Sequence, residues 1–129
     1  MKKVLLIVAA ALASLAIAAT AGAAGSWTPI SGTVYSDGTW YTSTNVRTVH
    51  SGNTAIKVQF NSIPTGNLAF YVKNYNTGIR IGSIIYAPPV TTQTMGNASS
   101  GTQFVNVFKE QNVCHGCGWN YNFSGSEWY

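Results

Sequence analysis

Apolar and polar residues alternate with a period of two in several segments of this chain. In residues 55–60, the apolar side chains of Ile56, Val58 and Phe60 alternate with polar ones, and residues 67–75 and 119–123 repeat the pattern. Successive side chains of a β-strand point to opposite faces, so this period predicts strands with one buried face. No segment after the first 23 residues has the helical period. The sequence therefore predicts an all-β protein.

The alternation also predicts which side chains are buried. In residues 67–75, Leu68, Phe70 and Val72 face inward, whereas Ala69, Tyr71, Lys73 and Tyr75 face outward. The large aromatic side chains expected in the core are Phe60, Phe70, Phe104, Phe108, Tyr121 and Phe123. Residues 102–110 alternate less cleanly because Val105 and Val107 compete with the phenylalanines beside them, so both faces of that strand are expected to be covered.

Turn signals separate these strands at nearly regular intervals. Gly and Asn supply the positive φ angles of tight turns, and they recur at 36–39, 51–53, 64–67, 76–78, 96–101 and 123–126. Pro88 and Pro89 mark a connection or an edge, since proline cannot donate to a β-ladder. About seven or eight short strands at this spacing predict a single antiparallel β-sandwich, immunoglobulin-like or jelly-roll-like.

The first 23 residues have the layout of a bacterial secretory signal peptide. Lys2 and Lys3 precede an apolar segment, and Ala21-Gly22-Ala23 fits the small-residue rule for cleavage. The apolar segment is short for a membrane span, and no basic cluster follows it. We predict a signal peptide over 1–23, a single secreted β-domain over 24–129 at the cell surface, in the periplasm or outside the cell, and no stable membrane span after cleavage.

Charge is sparse in the predicted mature domain. The chain has a net charge of +4, but two of its seven basic residues lie in the signal peptide. The five remaining cations are scattered along the sequence, which gives no support for nucleic-acid binding. Ser, Thr, Asn and Gly are therefore expected to form most of the solvated surface, while the plentiful alternating apolar residues exclude disorder.

The only two cysteines, Cys114 and Cys117, flank a His-Gly pair. Haem attachment requires a histidine directly after the second cysteine, and Gly118 stands there. In a redox pair of the thioredoxin type, the first cysteine lies at the N-terminus of a helix. This glycine-rich segment does not have a helical pattern. Zinc prefers four ligands, and His115 between the thiols is poorly placed to join them. We predict a disulfide that fastens a loop, with no metal and no cofactor.

Catalytic residues are nearly absent from the sequence. Glycoside hydrolysis usually needs two carboxylates, and the chain offers only Asp37, Glu110 and Glu127. No nucleophile motif singles out any serine. We therefore expect no enzymatic activity.

Outward aromatic side chains are the remaining functional signal. Their rings offer apolar faces with polar edges, which suits stacking against sugar rings. Ordinary half-buried strand aromatics would produce the same pattern. On the Tyr71–Tyr75 segment, only Lys73 is expected to add charge. The candidate ligand-binding residues are Tyr71, Tyr75, Trp40, Tyr41 and Trp128.

Composition and export fit more than one function. The first expectation is a secreted, non-catalytic binding protein for polysaccharide or cell-wall glycan. The alternatives are a secreted antimicrobial protein or bacteriocin-like toxin, a structural protein of the cell surface, and an inhibitor of a secreted hydrolase.

Overall fold

The computed structural model describes residues 25–63, 67–86, 88 and 91–129. Nine strands and no helix occur in these ranges. The predicted signal peptide lies outside the described residues, as do Pro89 and most of the predicted turn at 64–67. The strands are β1 (Trp27–Tyr35), β2 (Tyr41–Thr42), β3 (Arg47–Thr48), β4 (Ala55–Ser62), β5 (Leu68–Asn74), β6 (Arg80–Tyr86), β7 (Gln93–Asn97), β8 (Gln103–Glu110) and β9 (Asn120–Trp128).

The strands form two antiparallel sheets. Sheet A has four strands in the order β1-β9-β4-β7. Sheet B has five strands, in which the short β2 and β3 both pair with one edge of β8, and β5 and β6 follow on its other side. The all-β prediction is thus confirmed, and within the described ranges no helix is long and apolar enough to cross a membrane.

Pairing between strands is nested along the chain. The first strand pairs with the last, β2 and β3 pair with β8, β4 pairs with β7, and β5 pairs with β6. The chain therefore runs as one long antiparallel hairpin rolled up so that its successive pairs fall alternately in sheets A and B. This arrangement brings β5, in the middle of the sequence, between β8 and β6.

The buried faces of the two sheets enclose one apolar core. Phe60 and Phe123 of sheet A meet Phe70 and Phe108 of sheet B, with ring centroids 4.8–6.2 Å apart and near-perpendicular planes. Edge-to-face packing of this kind is favourable for aromatic rings. The inward positions predicted on β4 and β5 are all buried. Face-to-face packing of two antiparallel sheets gives the sandwich-like arrangement that the turn spacing predicts.

Two predictions about the core have different outcomes. Strand β8 is buried on both faces, as expected from its mixed pattern. Tyr121, however, is 37% exposed, so the prediction that places it in the core is wrong. It shares a face with Phe123, but it lies at the start of β9, where its ring packs on Trp119 at 4.7 Å rather than between the sheets.

A glycine allows β6 of sheet B to approach β7 of sheet A. Gly82 has a φ of +72° in the left-handed region, and three residues of β6 stand opposite the single residue Tyr71 of β5 at this bulge. A methyl group on Gly82 would collide with the Met95 carbonyl group, and one on Gly96 would lie 2.8 Å from the Gly82 Cα. The close approach of the two backbones therefore requires glycine.

The cysteine pair lies in the loop that joins β8 to β9. The sulfur atoms of Cys114 and Cys117 are at disulfide-bonding distance, and their Cα atoms are 5.6 Å apart. The Cys114 amide also donates to the Ser36 carbonyl at 2.7 Å, and the Ser36 amide donates to the Trp119 carbonyl at 3.1 Å. The loop is thus fastened both to itself and to the turn after β1, in agreement with the predicted role of the pair.

Candidate binding face

The outer face of sheet B carries most of the predicted binding residues. Residues directly opposite each other on antiparallel strands point to the same side of the sheet. Phe70 and Phe108 are opposite and both buried in the core, so their neighbours Tyr71 and Lys109 point outward. The same register places further aromatic and basic side chains on this side. We call this set the aromatic–basic face: Trp40, Tyr71, Lys73, Tyr75, Arg80, Tyr86 and Lys109.

At one end of the aromatic–basic face, Trp40 contacts two other side chains. The ring of Trp40 meets that of Tyr71 edge to face, with centroids 5.2 Å apart. The Lys109 ammonium lies 4.8 Å from the centroid of the Trp40 ring. A cation over an exposed indole stabilises its orientation by about 0.5–1 kcal/mol. Trp40 remains 38% exposed, so its ring is held in place while still open to a ligand.

At the other end, an open groove of about 400 Å³ borders Tyr75. The Lys73 ammonium donates to the Thr42 hydroxyl at 3.3 Å across this groove. Tyr75 is 55% exposed, and its side chain lines the groove. Thr42, Ser43, Thr44, Val46 and Val105 complete the lining. The groove therefore combines one aromatic ring, one cation and several hydroxyl groups, which is a mixture suited to a polar ligand with apolar ring faces.

The other two candidate residues lie elsewhere. Tyr41 is opposite Phe108 and stacks on it, so it points toward the inner side of sheet B, where it also meets Tyr35 at 4.9 Å. Trp128 lies on the outer face of sheet A, beside Trp27 at 5.9 Å. The five candidates thus divide among three places, and only Tyr71, Tyr75 and Trp40 share a surface.

Sequence reasoning missed part of this face. It expected Lys73 as the only cation beside the tyrosines, but Lys109 and Arg80 join it from the two strands that flank β5. Arg80 is directly opposite Lys73, and Lys109 is directly opposite Ala69. The alternation within each strand could predict that the side chains of Lys109 and Arg80 point outward. Only the strand pairing places them on the same face as Lys73.

All three side-chain carboxylates of the protein are away from the aromatic–basic face. Glu110 and Glu127 are fully buried on the inner sides of their sheets. Asp37 lies in the turn after β1, where its carboxylate accepts a hydrogen bond from the Thr39 amide at 3.0 Å. The hydrogen bonds from Thr39 lower the pKa of Asp37. The face therefore carries cations without a balancing acidic side chain.

A buried polar cluster joins the two sheets beneath this face. Glu127 of β9 lies 3.1 Å from the Arg47 Nε atom of β3, and Asn106 of β8 donates to the same Glu127 oxygen at 3.2 Å. The Arg47 Nε–H is not directed at that oxygen, so the contact is an ion pair by distance without a good hydrogen bond. Burial raises the pKa of Glu127 to about 7, although Arg47 and Asn106 both act to lower it. The cost of burying the charged carboxylate exceeds the stabilisation that Arg47 and Asn106 provide, since the Arg47 Nε–H adds no hydrogen bond.

The loop with the cysteine pair borders a second open groove of about 310 Å³. Its lining consists of Tyr35, Ser36, Asp37, Gly116, Gly118 and Trp119. Over the described ranges of the chain, no three His, Cys, Asp or Glu side chains are grouped so that they could hold a metal ion.

The fold and the site together define an all-β protein of two antiparallel sheets, in which the outer face of sheet B is aromatic and basic. No protein-family model, curated protein or solved structure matches the chain.

Proposed function

We propose that this protein is exported and binds a polysaccharide or cell-wall glycan, without catalysis, through the aromatic–basic face. The observation that carries the proposal is the joint exposure of Trp40 and Tyr75 on one side of sheet B, next to a groove lined with hydroxyl groups. Tyr71 is half-buried, and its ring packs edge to face against the ring of Trp40. Aromatic rings held in this way bind sugars by stacking, while hydroxyl groups supply hydrogen bonds.

The placement of the carboxylates supports a non-catalytic role. Two of the three, Glu110 and Glu127, are fully buried, which leaves Asp37 as the accessible side-chain carboxylate. A pair of accessible carboxylates is the usual requirement for glycoside hydrolysis. The cysteine pair fits an oxidising compartment, which supports export after cleavage of residues 1–23.

Nested pairing supports a jelly-roll-like rather than an immunoglobulin-like sandwich. In the immunoglobulin arrangement the first strand pairs with the second, whereas here β1 pairs with β9. A rolled hairpin of this kind is a jelly roll once β2 and β3 are counted as one interrupted strand. The fold by itself does not assign a ligand, so the function rests on the face.

Retention of the purified mature protein on a panel of insoluble glycans and whole cells tests the proposal. Trp40→Ala combined with Tyr75→Ala should weaken retention about tenfold or more, since each ring contributes on the order of 1 kcal/mol. Trp27→Ala, an equally exposed ring on the outer face of sheet A, is the matched control and should bind like wild type. The melting temperature of each variant separates loss of binding from loss of folding.

Two results would contradict the proposal. Retention that survives removal of both rings would exclude this face as the binding surface. Killing of cells by protein that retains no glycan would favour the antimicrobial function instead.

A further inference from the structure

Most of the accessible positive charge of the domain lies on the aromatic–basic face. Of the five cations after residue 24, Arg47 is buried against Glu127, and Lys57 lies on the outer face of sheet A opposite Trp128. The other three, Lys73, Arg80 and Lys109, share the aromatic–basic face. Few charges are present, but these three share one face with the exposed rings of Trp40, Tyr75 and Tyr86.

The arrangement of two of these cations is unfavourable without a ligand. Lys73 and Arg80 are directly opposite on neighbouring strands, and like charges in such a pair destabilise a sheet. Their hydrogen-bond acceptors are neutral groups, the Thr42 hydroxyl for Lys73 and the Gly82 carbonyl for Arg80. An anion between the two would relieve their repulsion and receive hydrogen bonds from both.

The cations also occur at both ends of the face. Lys109 is opposite Ala69, four residues along β5 from Lys73, so the two lysines are anchored ~13 Å apart along the strand direction. Trp40 lies beside Lys109, and Tyr75 lies beside Lys73 in the groove. Each end of the face thus has one exposed aromatic ring beside positive charge. Such a repeated arrangement suits an extended ligand that carries anionic groups at intervals.

We propose that the aromatic–basic face binds an anionic glycan, a chain whose sugar or polyol units carry repeated carboxylate or phosphate groups. This inference rests on the proposed function and narrows it. The rings stack on the apolar faces of the units, while Lys109 at one end and Lys73 with Arg80 at the other contact the acidic groups. The absence of any Asp or Glu side chain on this face leaves nothing to repel such a chain.

A pair of polymers with the same backbone tests the charge requirement. Isothermal titration calorimetry would compare polygalacturonate with its fully methyl-esterified form, in which the carboxylates are neutral. We expect at least about tenfold weaker binding of the ester, because the charged contacts at both ends of the face are lost. Binding of polygalacturonate should also weaken from 0.1 M to 1 M salt, where the Debye length falls from about 10 Å to about 3 Å. Poly(glycerol phosphate) in a parallel titration identifies whether carboxylate or phosphate is preferred.

Matched lysine variants locate the charge that binds. Lys73→Gln and Lys109→Gln should each weaken binding of the preferred anionic polymer about two- to fivefold. Lys57→Gln removes the same charge from the opposite side of the molecule and should leave the affinity unchanged. An equal loss in all three variants would mean that net charge, not this face, governs binding, and would overturn the inference.

The outcomes separate this inference from the proposed function. Equal, salt-independent binding of polygalacturonate and its ester would overturn the anionic specificity while leaving glycan binding intact. Failure of every acidic and neutral glycan to bind would overturn both. Single-stranded DNA that binds more tightly than either acidic polymer would show a nucleic-acid surface and overturn the inference.

Discussion

Glu127 lies in the core between the two sheets, where a carboxylate is costly to keep charged. Its partners are Arg47 on β3 and Asn106 on β8, so one side chain of sheet A contacts two strands of sheet B. The second Glu127 oxygen, Oε1, and the Asn106 Oδ1 atom are both buried acceptors without a hydrogen-bond donor among the described residues. A proton on Glu127 would convert one unpaired acceptor into a donor and remove the buried charge, in keeping with its raised pKa.

Protonation of Glu127 should make stability depend on pH. The carboxyl group has a pKa of about 7 in the folded chain, against 4.5 for an ordinary glutamate, because burial disfavours its charge. Between these two values the folded state binds more protons than the unfolded state, so the free energy of unfolding falls as the pH rises through this window and levels off above it. We expect a decrease of up to a few kcal/mol, measured by chemical denaturation across the pH range.

Variants assign this dependence to Glu127. Glu127→Gln should remove the decrease between pH 4.5 and 7, whereas Asp37→Asn, at an exposed turn position, should keep it. Parallel profiles for wild type and Glu127→Gln would mean that this carboxyl group is not the source.

At the scale of single elements, the bulge of β6 controls how the edges of the two sheets meet. Gly82 and Gly78 have nearly the same positive φ, but a methyl group on Gly82 would meet the backbone of β7, whereas one on Gly78 would meet nothing within 4 Å. The two positions therefore separate the cost of the backbone conformation from the cost of the close approach.

Alanine at each glycine should have a different effect on stability. Gly78→Ala is expected to cost about 1–2 kcal/mol from the left-handed conformation alone. Gly82→Ala adds overpacking of about 1–3 kcal/mol, since the Met95 backbone cannot move as a side-chain tip can. Thermal or chemical unfolding measures both. Equal losses at the two positions would mean that β6 and β7 do not approach as closely as described.

The length of a strand determines whether its buried face can be predicted from the sequence. The long strands β4 and β5 each direct one face toward the core, and their alternation correctly predicts the direction of Phe60, Phe70 and Tyr71, although Ala69 on the outer side of β5 is also buried. The two-residue strands β2 and β3 contain too few residues for a period to appear. Trp40 and Tyr41 are adjacent and must point to opposite sides, but no pattern in their own segment says which one joins the outer face.

For the whole molecule, the all-β class and the position of the cysteine loop followed from local patterns, while the composition of the face did not. Local alternation places Lys73 with Tyr71 and Tyr75, but Lys109 and Arg80 come from 36 residues further along the chain and from the next strand, respectively. These side chains share one face because β5 lies between β8 and β6, and no single segment of the sequence specifies that long-range pairing. Packing of the two sheets buries Glu110 and Glu127, which makes the accessible surface more basic than the composition indicates.

Backbone-amide chemical shifts of isotope-labelled protein, titrated with short acidic galacturonan oligosaccharides, test the central claim most directly. If the aromatic–basic face binds an anionic glycan, the largest shift changes should fall at Trp40, Tyr71, Lys73, Tyr75 and Lys109, with none at Trp27 and Trp128 on the opposite sheet. Changes centred on Trp27 and Trp128, or on the groove beside the cysteine loop, would contradict the account.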